Sequence, residues 1–314
     1  MIYFCRGFLM GIFKEHQTII YGAPGTGKSF FIKQKLELGK IDESNVFRTT
    51  FHSDLSYSDF VGYLKPCNDS DGSIDYKFQA GPFTFALERA LSSSNDVYLV
   101  IEELNRGNAP SILGDIFQLL DRGSDGKSSY FIKNTDVRAF LDNNEACKKT
   151  LESLGAQEGD ILLPSNFFII ATMNTADQNV FVLDTAFKRR FVMRYIPIVF
   201  DETIPAFKAL NEMSKISVFD NKHTWGEFAQ LINKKVDGTN ANGLVVSEDK
   251  KLGPFFVSES DVSSKQSFCD KVIYYLKNDV FKYDSNFLNE SYESIYKRFV
   301  LENDDLFDIL NLGV

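Results

Sequence analysis

Residues 22–29, Gly22-Ala23-Pro24-Gly25-Thr26-Gly27-Lys28-Ser29, fit the pattern G-x-x-x-x-G-K-[ST], directly after the apolar run Thr18-Ile19-Ile20-Tyr21 and before a helix-compatible run over 30–38. Strand, glycine-rich turn and helix together aim a series of backbone N–H groups at one anion. The glycines allow a curl that a Cβ would forbid, and the helix N-terminus adds partial positive charge. In such a cradle Lys28 supplies a cation to the β and γ phosphates of a nucleoside triphosphate, and the Ser29 hydroxyl reaches Mg²⁺. The unit commits the chain to an α/β fold, because the strand feeding the turn is buried and needs parallel neighbours.

Those neighbours are readable. Val97-Tyr98-Leu99-Val100-Ile101 and the run over 167–171 are short and apolar, and each is followed by a helical pattern, over 112–121 and 182–191. The alternation predicts βαβ units and a parallel sheet flanked by helices. The first run ends in Glu102-Glu103, which sets two acids at the carboxyl edge beside the nucleotide. Glu102 is expected to hold Mg²⁺ through water, and Glu103 to orient or deprotonate the attacking water. The second run ends in Met173-Asn174-Thr175-Ala176-Asp177. There Asn174 is placed to hydrogen-bond the attacking water or the γ phosphate, with Asp177 orienting its neighbours. Arg189 and Arg190 end the next helix, too far along to serve the same site. They suit an arginine finger reaching into a neighbouring subunit, against the plainer reading of a basic helix end complementing the dipole.

Composition narrows the function. A chain of 314 residues with 44% hydrophobic residues has room for one large domain or two ordinary ones. With 34 Lys and Arg against 43 Asp and Glu, the net charge of -9 argues against a surface that grips nucleic acid by bulk charge, so any DNA contact is expected to be local or borrowed. Cys5, Cys67, Cys147 and Cys269 are scattered without a C-x-x-C pair, which argues against a zinc site or a disulfide framework and for the reducing cytoplasm. Residues 1–13 are apolar, but Arg6 interrupts them and no small-residue cleavage site follows, so secretion is not expected. No run has the length of a membrane span. His16, His52 and His223 form no nuclease-like cluster.

Two polar stretches, 66–75 (PCNDSDGSID) and 122–165, read as insertions between strands, the second holding a turn-rich loop and a charged helical segment over 137–154. After Pro197 the pattern becomes helical, over 207–213, 225–236, 267–278 and 291–300, with a Gly- and Asn-rich loop at 237–243. The expected organisation is an NTPase core over 1–200, including an extension at 1–15, and a smaller, mostly helical lid over 201–314.

Four stretches together resemble the AAA+ motor of McrB-type proteins, the nucleotide-driven subunits of modification-dependent restriction systems. They are "YGAPGTGKS", "FHSDLSYSDFVGYLKP" (51–66), "VIEELNRGN" (100–108) and "ATMNTADQNVFVLDTAFKRRF" (171–191), and "KKLGPFFV" (250–257) resembles the lid segment that contributes a second sensor. The resemblance implies a hexameric ring that hydrolyses GTP, as the best-known member does, or ATP, with a separate McrC-like nuclease subunit. By motif, Asn174 is the first sensor, Glu103 the Walker B glutamate and Arg189 or Arg190 the finger. Two positions depart from the pattern: Glu102 stands where an aspartate is usual, and Gln178 where the best-known member has arginine. Only about twenty residues precede the loop, so the expectation is a motor without its own DNA-reading domain or nuclease, reaching DNA through a partner or pore loops. A guanine-reading Asn-Lys-x-Asp motif is missing, and GTP is favoured by resemblance alone. A protein-remodelling AAA+ chaperone, or a nucleotide-bound scaffold with little turnover, would share the phosphate chemistry. The 51–66 and 173–177 signatures favour the restriction motor.

Overall fold

The computed structural model describes residues 13–68, 74–174, 181–200, 212–220, 222–237, 250–282 and 290–312. Its strands are β1 (Gln17–Gly22), β2 (Val46–Thr50), β3 (Gly62–Asn68), β4 (Ile74–Ala80), β5 (Val97–Glu102), β6 (Ile132–Lys133), β7 (Asp160–Ile161), β8 (Phe167–Asn174) and β9 (Val192–Tyr195). Five of them form one sheet in the order β2-β5-β8-β1-β9, with every pair parallel. β8 therefore lies between the loop-bearing β1 and the acid-bearing β5.

Both faces of this sheet are buried. Side-chain alternation sends Ile19, Leu99, Ile101, Ile169 and Ala171 to one face, against Phe83, Leu87 and Leu91 of the helix Pro82–Ser92. Ile20, Tyr98, Val100, Phe168 and Ile170 face the other way, onto Ile32 and Leu36 of the helix Lys28–Leu38. Each buried Val, Leu, Ile or Phe among these contributes about 1.5–3 kcal/mol, so the central strands are fixed in register where the site needs rigidity.

Local structure departs from expectation where polar residues obscure it. The stretch 66–75 is not simply an insertion of turn formers: its flanks belong to an antiparallel hairpin, β3 with β4, paired from Gly62↔Ala80 to Asn68↔Ile74. The segment 137–154 is two helices, Thr135–Asp142 and Glu145–Ser153, because Asn134 and Asn144 each accept a backbone N–H at a new N-terminus. The 112–121 pattern resolves into Ala109–Leu113 and a 3₁₀ segment, Gly114–Leu120, while 182–191 holds only the short helix Thr185–Lys188.

A second buried cluster, running from Val218 to Leu312, forms around Trp225, Phe228, Phe268 and Phe299. It is helical: Trp225–Asp237, then 265–280 and 292–301. Most of the expected helix at 207–213 and the loop at 237–243 lie outside the described residues. The segment 252–256 joins this cluster to the sheet. Asn233 and Leu252 exchange hydrogen bonds of 2.8 and 2.9 Å, and the Trp225 indole N–H donates to the Gly253 carbonyl at 3.3 Å. The Phe255 N–H in turn donates to the Gly25 carbonyl at 2.8 Å. Among the described residues no helix is long and apolar enough to cross a membrane.

Candidate nucleotide site

The loop leaves β1 at Gly22 and curls through Gly25 (φ 71°) and Gly27 (φ 84°), both in the left-handed region that only glycine enters freely. Gly25 has a second constraint: a Cβ there would stand 2.5 Å from the Phe256 nitrogen. Thr26 ties the curl by donating to the Ala23 carbonyl at 3.0 Å. Lys28, 7% exposed, folds back across the loop, its Nζ 3.1 Å from the Gly22 carbonyl and 2.9 Å from that of Ala23. Its ammonium thus lies within the concavity formed by residues 22–28.

Ser29, one residue further along the helix, donates its hydroxyl to Glu102 Oε2 at 2.8 Å. The same oxygen accepts the Thr172 hydroxyl at 2.7 Å, and Arg48 Nη1 on β2 donates to Oε1 at 3.2 Å. Glu102 therefore sits between the helix, β8 and β2. Hydroxyl and carboxylate oxygens are hard donors. Mg²⁺ is commonly held by one or two of these together with phosphate oxygens, so the pair Ser29 and Glu102 fits that ion. Among the described residues no group of three or more His, Cys, Asp or Glu could hold a metal by itself, and a P-loop site does not need one.

Glu103 points the other way. Its backbone is left-handed (φ 56°, ψ 45°), a conformation that costs a side-chain-bearing residue about 1–2 kcal/mol and turns the chain sharply off the end of β5. The Thr172 hydroxyl accepts the Glu103 N–H at 3.1 Å, so one threonine fixes both acids. The Glu103 carboxylate receives Asn174 Nδ2 at 3.0 and 2.9 Å, and Arg106 Nε at 3.1 Å. Asn105 in turn donates to the Asn174 carbonyl at 2.8 Å. The register Gly22↔Asn174 sets this amide beside the loop. The structure thus brings together the loop, Ser29, Glu102, Glu103 and Asn174.

Asp177, Thr175, Ala176 and Gln178 lie outside the described residues. The two arginines separate. Arg190 is bound inside its own chain: Nη2 meets Asp121 at 2.7 Å, Nη1 meets the Ala186 carbonyl at 3.1 Å, and the guanidinium covers the Phe117 ring at 4.2 Å. Arg189 is exposed, and its side chain makes no hydrogen bond or ion pair among the described residues. Sequence reasoning missed Thr172, Arg48, Arg106 and Asn105. Of these, Thr172 carried a signal, a hydroxyl two positions before Asn174 and so on the same face of β8.

A phosphate-curling loop, a hydroxyl–carboxylate pair and a second carboxylate held by an asparagine, all at the carboxyl edge of three parallel strands, define a P-loop NTPase of the AAA+ class. The chain belongs to the AAA domain family, dynein-related subfamily, whose family model matches residues 17–191. Within it, the chain is an McrB-like AAA+ restriction subunit. It is similar to the Type II restriction enzyme BsuMI component YdiS of Bacillus subtilis (strain 168), with 39% identity over 305 residues, 87% of this chain and 82% of that protein. It is also similar to the Type IV methyl-directed restriction enzyme EcoKMcrB subunit of Escherichia coli (strain K12), with 27% identity over 227 residues, 70% of this chain and 44% of that protein.

Proposed function

We propose that the chain hydrolyses GTP or ATP with Mg²⁺, as a ring of identical subunits, a hexamer by resemblance, that powers or licenses DNA cleavage by a separate McrC-like nuclease in the cytoplasm. The observation that supports the reading is that Glu102 pairs with Ser29 while Glu103 pairs with Asn174, which suits one acid to the metal and the other to the attacking water. Lys28 exchanges its two loop carbonyls for phosphate oxygens, and the loop N–H groups hold the remaining charge. Ser29 and Glu102 would hold Mg²⁺, which would supply neutralising charge to the phosphates. Asn174 and Glu103 orient the attacking water, and Glu103 accepts its proton. Asp177 is assigned to orient these groups. Arg189, exposed at a helix end, is the better placed of the two arginines to reach a neighbour's γ phosphate.

The restriction role rests on what the two relatives' names share, since one is a Type II component and the other a Type IV methyl-directed subunit. DNA is reached through the partner or through pore loops. The test is purification with the products of neighbouring genes, followed by GTP and ATP turnover with and without each. A nuclease partner that stimulates turnover and cleaves DNA only with this chain is the expected result. Absence of turnover with either nucleotide under all these conditions would refute the proposal.

A further inference from the structure

Glu102 Oε2 is satisfied by two neutral hydroxyls, those of Ser29 and Thr172, whereas Oε1 has a single donor among the described residues, the guanidinium of Arg48 at 3.2 Å. Arg48 comes from β2, an edge strand of the sheet, where it stands beside Val100 in register. Its side chain is 41% exposed against 19% for Glu102, so the acid is fixed from within while the cation above it can leave. The space it can enter is present. Arg48 lines one end of an open cavity of about 580 Å³ between the loop helix and β2, with Ser29 in its wall and Glu37 and Glu43 also lining it.

We propose that Arg48, by occupying the Glu102 carboxylate with its own charge, sets the concentration of Mg²⁺ the site needs. The inference rests on the nucleotide-and-Mg²⁺ reading above. Two cations sharing one carboxylate repel, and at the effective dielectric of a partly exposed site this amounts to about a three- to tenfold loss of affinity for the second. Glutamate rather than aspartate fits this arrangement. Its extra methylene lets a carboxylate from the end of β5 meet Ser29 on one side and Arg48 on the other.

The experiment measures binding of a fluorescent triphosphate, GTP- or ATP-derived as the parent prefers, first in EDTA and then across a Mg²⁺ titration, for the parent, Arg48→Ala and Arg48→Lys. Direct Mn²⁺ binding followed by electron paramagnetic resonance gives a second readout. Arg48→Ala is expected to leave affinity in EDTA within about twofold and to lower half-saturating Mg²⁺ about three- to tenfold, with Arg48→Lys near the parent. A Mg²⁺ curve for Arg48→Ala that superimposes on the parent, or shifts upward, overturns the proposal. So does an equal loss of affinity in EDTA, which would make Arg48 a phosphate ligand. If Arg48→Ala does not fold, Arg48→Gln decides by the same criteria. A parent that binds no nucleotide overturns the underlying reading and this inference with it, whereas a Mg²⁺-dependent parent with an unshifted variant overturns the role of Arg48 alone.

Discussion

Gly25 of the phosphate loop and Gly253 of the C-terminal helical unit meet backbone to backbone, so closely that a Cβ on Gly253 would stand 2.5 Å from the Gly25 carbonyl carbon and 2.8 Å from the Thr26 nitrogen. Neither neighbour is a flexible side chain that could move aside. Gly253→Ala is therefore expected to push segment 252–256 off the loop and lower nucleotide affinity at least about tenfold, as seen by equilibrium binding. Gly155→Ala is the control. Its φ of 83° carries the same backbone penalty, but nothing lies within 4 Å of its Cβ position, so it should cost about 1 kcal/mol of stability and leave binding unchanged.

Lys28→Ala removes the only ammonium in the loop and leaves the Gly22 and Ala23 carbonyls without that donor. Affinity for the triphosphate should fall about a hundredfold or more. Undiminished binding of a labelled nucleotide would remove the site from this loop.

Glu103→Gln keeps the shape of the side chain and its contact with Asn174 but cannot take a proton. It should bind nucleotide as the parent does and turn it over about a hundredfold more slowly, in a single-turnover assay that separates chemistry from release. Turnover near the parent's rate would make Glu103 structural.

Arg189 and Arg190 should now give opposite phenotypes. Arg190→Ala strands Asp121 and uncovers Phe117, so it should lower the melting temperature, at a cost of about 1.5–3 kcal/mol, in the isolated chain. Arg189→Ala should leave melting and binding unchanged and reduce turnover of the assembled ring by about a thousandfold. Mixing Arg189→Ala with Lys28→Ala subunits should restore a measurable fraction, because each supplies what the other lacks. If no activity returns in rings shown by native mass measurement to be mixed, the finger role fails.

Burial pushes the Cys147 thiol up to about 12 and the Cys269 thiol up to about 11. A raised thiol pKa means less thiolate at a given pH, and thiolate is the reactive form. At pH 8 both should resist a disulfide reagent in the native protein and react on unfolding. Cys67, which is partly exposed, should be modified first in a Cys5→Ser background. Rapid native labelling of Cys147 would contradict its burial.

The central strands were legible because each is an apolar run of the kind a doubly covered parallel sheet demands, and each ends at a residue of the candidate site: Gly22, Glu102 and Asn174. β2 and β9 were not. They are the edge strands, VFRTT and VMRY, where one unpaired side and partial exposure admit Arg, Thr and Tyr and dilute the apolar signal. The same reason hid Arg48, whose contact with Glu102 exists only because β2 pairs with β5, a pairing between residues about fifty apart in sequence. Arg189 and Arg190 are adjacent and chemically identical. Only the fold, by putting Asp121 and Phe117 beside one of them, tells them apart.

Trp225 is the chain's single tryptophan, fully buried, with its indole N–H on the carbonyl of the very glycine that abuts the phosphate loop. A rearrangement that lifts segment 252–256 from Gly25 and shifts Gly253 against Trp225 lengthens or bends that bond and changes the polarity felt by the ring. The protein therefore carries its own optical probe at the joint between its two cores, free of background from other tryptophans. Where nucleotide moves Gly253 against Trp225, the emission maximum and intensity of unlabelled protein should report it in real time.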